Sequence, residues 1–303
     1  MTKKIIAVVG GTGAQGGGVV DALLAQDEYA VRVLTRNPES EKASALGARG
    51  VQVVQANLNE PDTLPAAFEG AYGAFVVTNF WDSATGNKEL EQGRAAVSAA
   101  KAAGVQHFIW STLPNSKAIS NGKNEVHHFT GKAVVDPVVA EAGFNHHTFV
   151  EPPMYFQNLT GMMAPQPTDD GARAWSLPMD PSKKVIHVGD VSELGRLVAA
   201  AFDRPDEVGQ GQHLAQASEL TSWDEIIATL RSQGHDVRYQ RVPAEVFDGF
   251  FPGAAELRDM FEYFEDHTYF GPDAEAKIGA ANRIVGDAFT PFSTWAAENM
   301  KAV

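Results

Sequence analysis

The segment Ile5–Gly18 reads IIAVVGGTGAQGGG and leads directly into VVDALLAQ. An apolar run that stops at a glycine cluster and continues as an amphipathic stretch predicts a strand, a tight turn and a helix. Gly10, Gly13 and Gly16 are spaced GxxGxxG. Each removes a Cβ where the turn is sharp, where a pyrophosphate meets backbone N–H groups, or where helix and strand pack closely. The helix that begins near Ala14 directs its positive end at this turn, so the segment predicts an anion-binding site.

The sequence around this turn favours a dinucleotide over a purely structural role for the glycines. A second strand, predicted at residues 30–35, completes a βαβ unit of the length that dinucleotide-binding domains use. The chain as a whole is then an α/β protein with a doubly wound parallel sheet of the Rossmann type. The residues expected to hold the nucleotide phosphates are Gly10, Thr12, Gly13, Ala14, Gln15 and Gly16.

Composition excludes several classes of function. The 303 residues carry a formal net charge of -14, and no Lys/Arg run, zinc-finger spacing or helix-turn-helix pattern offsets that acidity. Direct nucleic-acid binding is therefore not expected. No apolar run approaches the length of a membrane span, and the N-terminal apolar segment is too short for a signal peptide, so we expect a cytoplasmic protein. The chain has no cysteine, which rules out disulfides and thiolate metal sites.

The second predicted strand ends in VLTRNP, where Arg36 takes a place that NAD-specific sites give to an acidic residue. An acid there repels a 2′-phosphate, whereas a guanidinium pairs with it through charge-assisted hydrogen bonds. We therefore expect the cofactor to be NADP, in either redox state, in preference to NAD. The alternative is an arginine that is simply solvated at the end of a strand.

Polar side chains also follow the next two predicted strands. Asn57 is placed to contact the adenine. Thr78 ends a buried strand predicted at residues 73–78 and Asn79 follows it, at the sheet edge where ligands of open α/β sheets bind. Phe80 and Trp81 come next and are expected to wall a pocket, although aromatic residues that only pack locally give the same pattern.

The segment 124–143 contains NEVHHFTGKAVVDPVVAEAG. If it is helical, His128 and Lys132 are four residues apart and share one face. Short-chain dehydrogenases carry YxxxK in this place, in which the tyrosine transfers the substrate proton and the lysine holds the nicotinamide ribose. None of the six tyrosines has a lysine four residues on. His128 stands at the tyrosine's position, so the catalytic residues of an enzyme would be Lys132 and His128, with Lys132 also binding the cofactor.

Two further points concern a possible metal site at the histidine pair and the residues that follow the next strand. The adjacent His127 and His128 diverge on a helix, and the nine histidines show no ligand spacing, so no metal site is expected. A helix face that merely packs remains the other interpretation. A sixth strand, predicted at residues 147–150, is closed by Glu151 and two prolines, and Tyr155 and Asn158 then lie over the expected nicotinamide site.

This pattern predicts two domains. Residues 1–153 form the NADP-binding Rossmann domain, and residues 154–303 form a smaller α+β domain for a substrate or partner. Parts of the second half, about residues 185–216, are expected to pack back on the Rossmann sheet. We expect a monomer or a homodimer.

The chain resembles the NmrA-like family of atypical short-chain dehydrogenases, and in particular its human redox-sensor subgroup. The resemblance runs over the whole length. It rests on GGTGAQGG at 10–17, the arginine at 36, TNFW at 78–81, HFTGK at 128–132, PMYFQNL at 153–159, VIHVGDVSELG at 185–195 and FPGAAELRDMF at 251–261. It implies an NADP(H)-binding regulator that acts through contacts with an unidentified protein partner and has little or no dehydrogenase activity.

A second branch of the same resemblance is enzymatic. Isoflavone and phenylcoumaran ether reductases are similar to this chain and use a lysine at the place of Lys132. The alternative function is therefore NADPH-dependent reduction of a small quinone, carbonyl or aromatic ether, with Lys132 and His128 assisting protonation. Both branches share the nucleotide fingerprint.

Overall fold

The computed structural model describes residues 2–82, 86–168 and 170–300. Its strands are β1 (Lys4–Val9), β2 (Tyr29–Thr35), β3 (Gln52–Gln55), β4 (Ala71–Val76), β5 (His107–Ser111), β6 (His146–Glu151), β7 (Met154–Tyr155), β8 (Gln166–Pro167), β9 (Arg173–Leu177), β10 (Ile186–Gly189), β11 (Gln210–Ala215), β12 (Glu219–Thr221) and β13 (Val237–Arg241).

Its helices are α1 (Ala14–Gln26), α2 (Glu41–Ala48), α3 (Leu64–Phe68), α4 (Gly86–Ala102), α5 (Ser116–Ile119), α6 (His127–Ala133), α7 (Asp136–Glu141), α8 (Leu194–Asp203), α9 (Pro205–Val208), α10 (Trp223–Ser232), α11 (Ala244–Phe247), α12 (Ala254–His267), α13 (Ala274–Val285) and α14 (Phe292–Asn299). Short 3-10 turns cover Pro61–Thr63, Phe80–Asp82, Phe156–Leu159 and Val191–Glu193. The sequence predicts a long helix over residues 85–103; its first residue, Thr85, lies outside the described residues. Within the described ranges, no helix is both long enough and apolar enough to pass through a bilayer.

The largest sheet confirms the predicted doubly wound architecture. Seven strands pair in the order β11-β6-β5-β4-β1-β2-β3, and every pairing between neighbours is parallel. The chain runs outward from β1 through β2 to β3 and then returns to place β4 on the other side of β1. Parallel strands that fan out from one point leave a crevice at their carboxyl ends, which is where open α/β sheets bind ligands.

Helices cover both faces of this sheet, because its strands are apolar on both sides. One buried cluster joins β1 and β2 to α1 and α8, with Val19, Leu23 and Leu197 fully buried. The opposite cluster joins the sheet to α3, α4 and α7. These two layers fix the strand ends that carry the polar residues described below.

The second half of the chain builds a core of its own and also contributes to the large sheet. Two three-stranded sheets, β12-β10-β7 and β13-β9-β8, pack with α10, α12 and α14 around buried aromatic side chains that include Trp223, Phe261 and Phe264. β11 forms the edge of the large sheet beside β6, and α8 packs against α1. Both elements follow residue 153 in sequence, so the division into residues 1–153 and 154–303 remains a proposal.

The contact between α1 and α8 is exceptionally close. A Cβ built on Gly195 stands 1.9 Å from the carbonyl oxygen of Gly18, and a Cβ on Gly18 stands 2.3 Å from the carbonyl oxygen of Ser192. Real Cβ atoms do not approach backbone to such distances, so only glycine at both positions lets the helices meet backbone to backbone.

The segment 124–143 forms two short helices rather than one. α6 ends at Ala133, and α7 begins at Asp136 with Pro137 in its first turn. A proline at 137 has no N–H to donate to the carbonyl of Ala133, which ends the hydrogen-bond series of α6 at that residue. His128 and Lys132 both lie on α6, four residues apart as expected.

Candidate functional site

The turn between β1 and α1 has the geometry of an anion cradle. Gly10 adopts φ +74, and its carbonyl oxygen accepts a hydrogen bond of 2.9 Å from the N–H of Gly13. A Cβ on Gly16 stands 2.3 Å from that same carbonyl oxygen, so helix and turn touch through bare backbone. No side chain caps α1 and its first turn has no acidic residue. The first N–H groups of the helix therefore remain open to an anion, and the turn fits a pyrophosphate.

A cleft of about 530 Å³ runs from this turn along the carboxyl ends of the strands. Its walls include every residue that the sequence singles out for the cofactor or for catalysis: Gly10, Thr12, Gly13, Ala14, Gln15, Gly16, Arg36, Asn57, Thr78, Asn79, His128, Lys132, Tyr155 and Asn158. The structure therefore brings the predicted set together at one place. Its size is typical of a small-molecule site.

Part of the cleft is lined by apolar side chains, most of them from the second half of the chain. They are Phe129, Met162, Met163, Leu257, Met260 and Tyr269, with Phe80 and Trp81 closing one wall. Met162 is 67% exposed. Phe80 and Trp81 thus lie where the sequence places them, beside a pocket suited to an apolar group.

Arg36 lies at the mouth of the cleft and is not free. Its Nη1 donates a hydrogen bond of 2.8 Å to Oδ2 of Asp82, although the arginine side chain is 64% exposed. The other carboxylate oxygen of Asp82 accepts a hydrogen bond of 2.8 Å from the side-chain amide of Asn79. A phosphate that binds Arg36 therefore meets an acidic residue already in place.

The two asparagines predicted to contact the cofactor make local hydrogen bonds. Asn57 donates from Nδ2 to Glu60 at 2.8 Å and accepts at Oδ1 from the N–H of Asn59 at 3.0 Å. Asn79 accepts at Oδ1 from the N–H of Trp81 at 3.2 Å. Both side chains shape their loops, and one amide hydrogen of Asn57 remains for a ligand.

Lys132 is buried at the base of the cleft and its ammonium is saturated. It donates to Oε1 of Glu89 at 2.6 Å, to the carbonyl oxygen of Thr78 at 2.8 Å and to the Thr78 hydroxyl at 3.1 Å. That hydroxyl in turn donates to Glu89 at 2.7 Å. A lysine ammonium has three donors, and all three are used here. A direct contact between Lys132 and a cofactor ribose requires one of these hydrogen bonds to break.

His128 is held by a carboxylate from the second half of the chain. Its Nδ1 lies 2.6 Å from Oε1 of Glu256 on α12, and its backbone N–H donates to the same oxygen at 2.9 Å. The imidazole also lies against Phe80 and Trp81, with ring centroids 5.9 Å and 5.5 Å away. His127 is more exposed and approaches Glu125 instead, so the two histidines serve different contacts.

A chain of three hydrogen-bonded side chains ends at the cleft. The buried hydroxyl of Ser111 donates to Oε1 of Gln15 at 2.7 Å, and Nε2 of Gln15 donates to the hydroxyl oxygen of Tyr155 at 2.7 Å. Burial raises the pKa of Tyr155 to about 12, against a smaller lowering by the Gln15 hydrogen bond. The phenol keeps its proton at neutral pH. Because the hydroxyl accepts from Gln15, its own hydrogen is directed elsewhere.

A buried ionic cluster lies behind the cleft, at the ends of β6 and β11. Burial alone raises the pKa of Glu151, but hydrogen bonds from His213 and Lys277 outweigh burial and hold that pKa below its usual range. Nearby, burial raises the pKa of Asp136 to about 7. Oδ1 of Asp136 has no hydrogen-bond partner among the described residues.

Several functional partners are absent from the sequence-based assignment. Glu89, Asp82 and Glu256 each pair with an assigned residue, from 43, 46 and 128 positions away along the chain. No local pattern marks Glu89 or Glu256. Asp82 directly follows the TNFW segment, so an acidic residue at that strand end is a signal that the sequence does offer.

Comparison with known proteins places the chain in a family. The model of the NmrA-like family matches residues 2–296. The NmrA-like family domain-containing oxidoreductase FrzB of Cladobotryum sp. is 31% identical over 302 residues, which span 91% of this chain and 89% of that protein.

Solved structures agree in fold. NmrA, a negative transcriptional regulator, in complex with NADP superimposes with a TM-score of 0.81 at 24% identity, covering 99% of this chain and 96% of that one. NmrA has also been crystallised with NAD. The NADPH-dependent quinone oxidoreductase QOR2 of Escherichia coli, complexed with NADPH, superimposes with a TM-score of 0.78 at 20% identity, covering 98% and 100% of the two chains. With its fold, its glycine turn and a family match over nearly its whole length, the chain belongs to the NmrA-like family.

Proposed function

We propose that this chain binds NADP(H) in the cleft and uses it to reduce a small apolar carbonyl or quinone. The observation that carries the proposal is the continuity of one cleft. The same cleft is lined by an anion cradle and a cationic side chain and by apolar side chains with a protonated phenol among them. A dinucleotide laid along this cleft has its phosphates at the glycine turn and its reactive ring against the apolar side chains.

The choice of NADP over NAD rests on Arg36. A guanidinium near the end of β2 suits a 2′-phosphate, which carries more charge than the ribose hydroxyl that NAD offers there. Among the residues that line the cleft, the basic side chains are Arg36, His128 and Lys132. Each pairs with a carboxylate, but the side chains of His128 and Lys132 are largely buried, whereas that of Arg36 is exposed. Arg36 is therefore the cation best placed to set the preference.

Tyr155 is the best candidate for the group that protonates the substrate. When bound, the reduced cofactor supplies a hydride to the substrate carbon. The Tyr155 hydroxyl gives its proton to the substrate oxygen, so that a carbonyl becomes an alcohol, and the phenolate recovers a proton from solvent. The amide N–H of Gln15 stabilises the phenolate that forms, because it already donates to that oxygen. His128 stands at the position of the missing YxxxK tyrosine, and its Nδ1 is already hydrogen-bonded to Glu256.

The test combines cofactor binding with turnover. Purified protein is titrated with NADPH and NADH by calorimetry, and NADPH consumption is followed against quinones, aldehydes and aromatic ethers. In Tyr155→Phe, turnover should fall by roughly 10²–10⁴-fold, while the NADPH dissociation constant stays within about twofold. Tyr72→Phe, on β4 outside the cleft lining, is the matched control and should keep both. Failure to bind NADPH overturns the proposal, and full turnover in Tyr155→Phe removes Tyr155 from it.

A second candidate function is regulation of a protein partner by cofactor occupancy. The observation that favours it is the mouth of the cleft, where Arg36, Asp82 and Asn79 tie the expected 2′-phosphate site to the exposed Trp81. The predicted redox-sensor role and the protein partner belong to this candidate, whereas the monomer or homodimer state and the cytoplasmic location stay predictions under either function. Tight NADPH binding without turnover on any substrate, together with a cofactor-dependent change in protease sensitivity, favours it over the reductase.

A further inference from the structure

The 3-10 turn Phe80–Asp82 is tied to β2 by one ion pair at the mouth of the cleft. Arg36 donates to Asp82 at 2.8 Å, and Asn79 holds the second carboxylate oxygen at the same distance. The Arg36 and Asp82 side chains are 64% and 36% exposed. Exposed ion pairs contribute little to stability, so this pair exchanges easily for a stronger ligand of the guanidinium.

A phosphate monoester is such a ligand. It carries about -1.5 to -2 charge at pH 7 and three acceptor oxygens, against the single charge of a carboxylate. Once it pairs with Arg36, the Asp82 carboxylate is left beside a like charge and is repelled. A cofactor that has only a ribose hydroxyl at this point has no charge with which to displace Asp82.

We propose that Asp82 is a specificity-determining residue, whose carboxylate occupies Arg36 before the cofactor binds and is exchanged for the 2′-phosphate of NADP(H). The inference rests on the proposed NADP(H) site. It adds to NADP(H) binding the free-energy cost of breaking the ion pair between Arg36 and Asp82. NADP(H) must displace Asp82, whereas NAD(H) leaves the ion pair intact. Asp82 therefore reduces the selectivity for NADP(H) over NAD(H) that Arg36 provides. It also makes the conformation of the turn depend on which cofactor is bound.

Trp81 reports this exchange. It precedes Asp82 in the turn, is 48% exposed, and lies 5.2 Å from Phe80 and 5.5 Å from His128 between ring centroids. When Asp82 leaves Arg36, the turn loses its tether to β2 and the environment of Trp81 changes. The other tryptophans are at most 4% exposed, so a soluble quencher such as iodide detects chiefly Trp81; they are Trp110, Trp175, Trp223 and Trp295.

The test is a double-mutant cycle on binding, read by calorimetry at low salt with NADP⁺ and NAD⁺. In Asp82→Asn, the NADP⁺ affinity should rise about fivefold, the factor that matches the upper range for an exposed ion pair, while NAD⁺ affinity stays within twofold. In the Arg36→Ala background, Asp82→Asn should no longer favour NADP⁺. Asp21→Asn breaks an exposed pair of the same type, with Arg49 at 2.7 Å, and should change neither affinity.

Quenching gives an independent readout. The iodide-accessible fraction of the emission should change when the wild-type chain is saturated with NADP⁺ and stay constant with NAD⁺. Equal effects of Asp82→Asn on both cofactors, or a loss of NADP⁺ affinity, overturn the exchange and leave the proposed cofactor site standing. Absence of binding by both cofactors, in wild type and variant alike, overturns the proposed function and the exchange with it.

Discussion

Separating Lys132 from Glu89 should destabilise the whole fold. Glu89 is fully buried and Lys132 is 7% exposed, and the two are 2.6 Å apart. Glu89→Gln leaves a buried ammonium without a counter-ion, and Lys132→Met leaves a buried carboxylate without one. Breaking a buried pair from one side costs about 3–5 kcal/mol of unfolding free energy. For a chain of this size that corresponds to a fall of about 5–8 °C in melting temperature.

The assay is urea unfolding followed by circular dichroism, on both single variants and the double variant. The double variant removes both charges, so its loss should be smaller than the sum of the single losses by about 2 kcal/mol or more. Lys88→Met is the matched control on the same helix. Its ion pair with Glu91 is exposed, and the loss should stay within about 0.5 kcal/mol. Single losses below about 1 kcal/mol, or strict additivity in the double variant, would refute the role given to this pair.

Two further predictions concern the glycine turn and the buried acid. Gly16→Ala should weaken NADPH binding at least tenfold, because its Cβ meets the Gly10 carbonyl oxygen at 2.3 Å and forces α1 away from the turn. Gly17→Ala, whose Cβ has 3.8 Å of clearance, should leave NADPH binding unchanged. Equal calorimetric affinities in the two variants would contradict this prediction. The pKa of Asp136 is raised to about 7, so the folded state binds the extra proton and the wild type loses stability as pH rises from about 4 to 7. Asp136→Asn has no carboxyl group that ionises at this position, so it does not lose this stability. Its unfolding free energy relative to wild type should therefore increase by about 2–4 kcal/mol between pH 4.5 and pH 8, whereas a constant difference in urea melts at those two values would exclude the effect.

The sequence predicts the nucleotide turn well because all of its determinants are local. A strand, a tight turn and a helix follow one another within Ile5–Gln26, and Gly13 and Gly16 are required by contacts with the backbone of Gly10 in the same turn. The helix begins at Ala14 as predicted, and the parallel sheet follows from repeated alternation of apolar strands and helices. The same locality places Arg36, Asn57 and Asn79 at strand ends on one cleft.

The chemical state of these residues could not be predicted, because it depends on partners that are distant in sequence. The Lys132 ammonium was expected to bind a cofactor ribose, but Glu89 on α4 accepts one of its hydrogen bonds. His128 stands on the expected helix, but its partner Glu256 comes from α12. Tyr155 and Gln15 are 140 positions apart. Pairings of this kind arise from how helices and strands pack, and spacing along the chain carries no record of them.

The glycine contact between α1 and α8 limits how this protein can be dissected. Because Gly195 presses on Gly18 and β11 completes the sheet edge beside β6, a fragment that stops near residue 153 would lack a helix against the nucleotide-facing layer and would present an unpaired strand to solvent. Such a truncation invites aggregation rather than yielding an autonomous folding unit. Any rigid-body displacement of α1, the helix of the anion cradle, must also move α8, which carries Gly195. The two halves of the chain are therefore expected to move together.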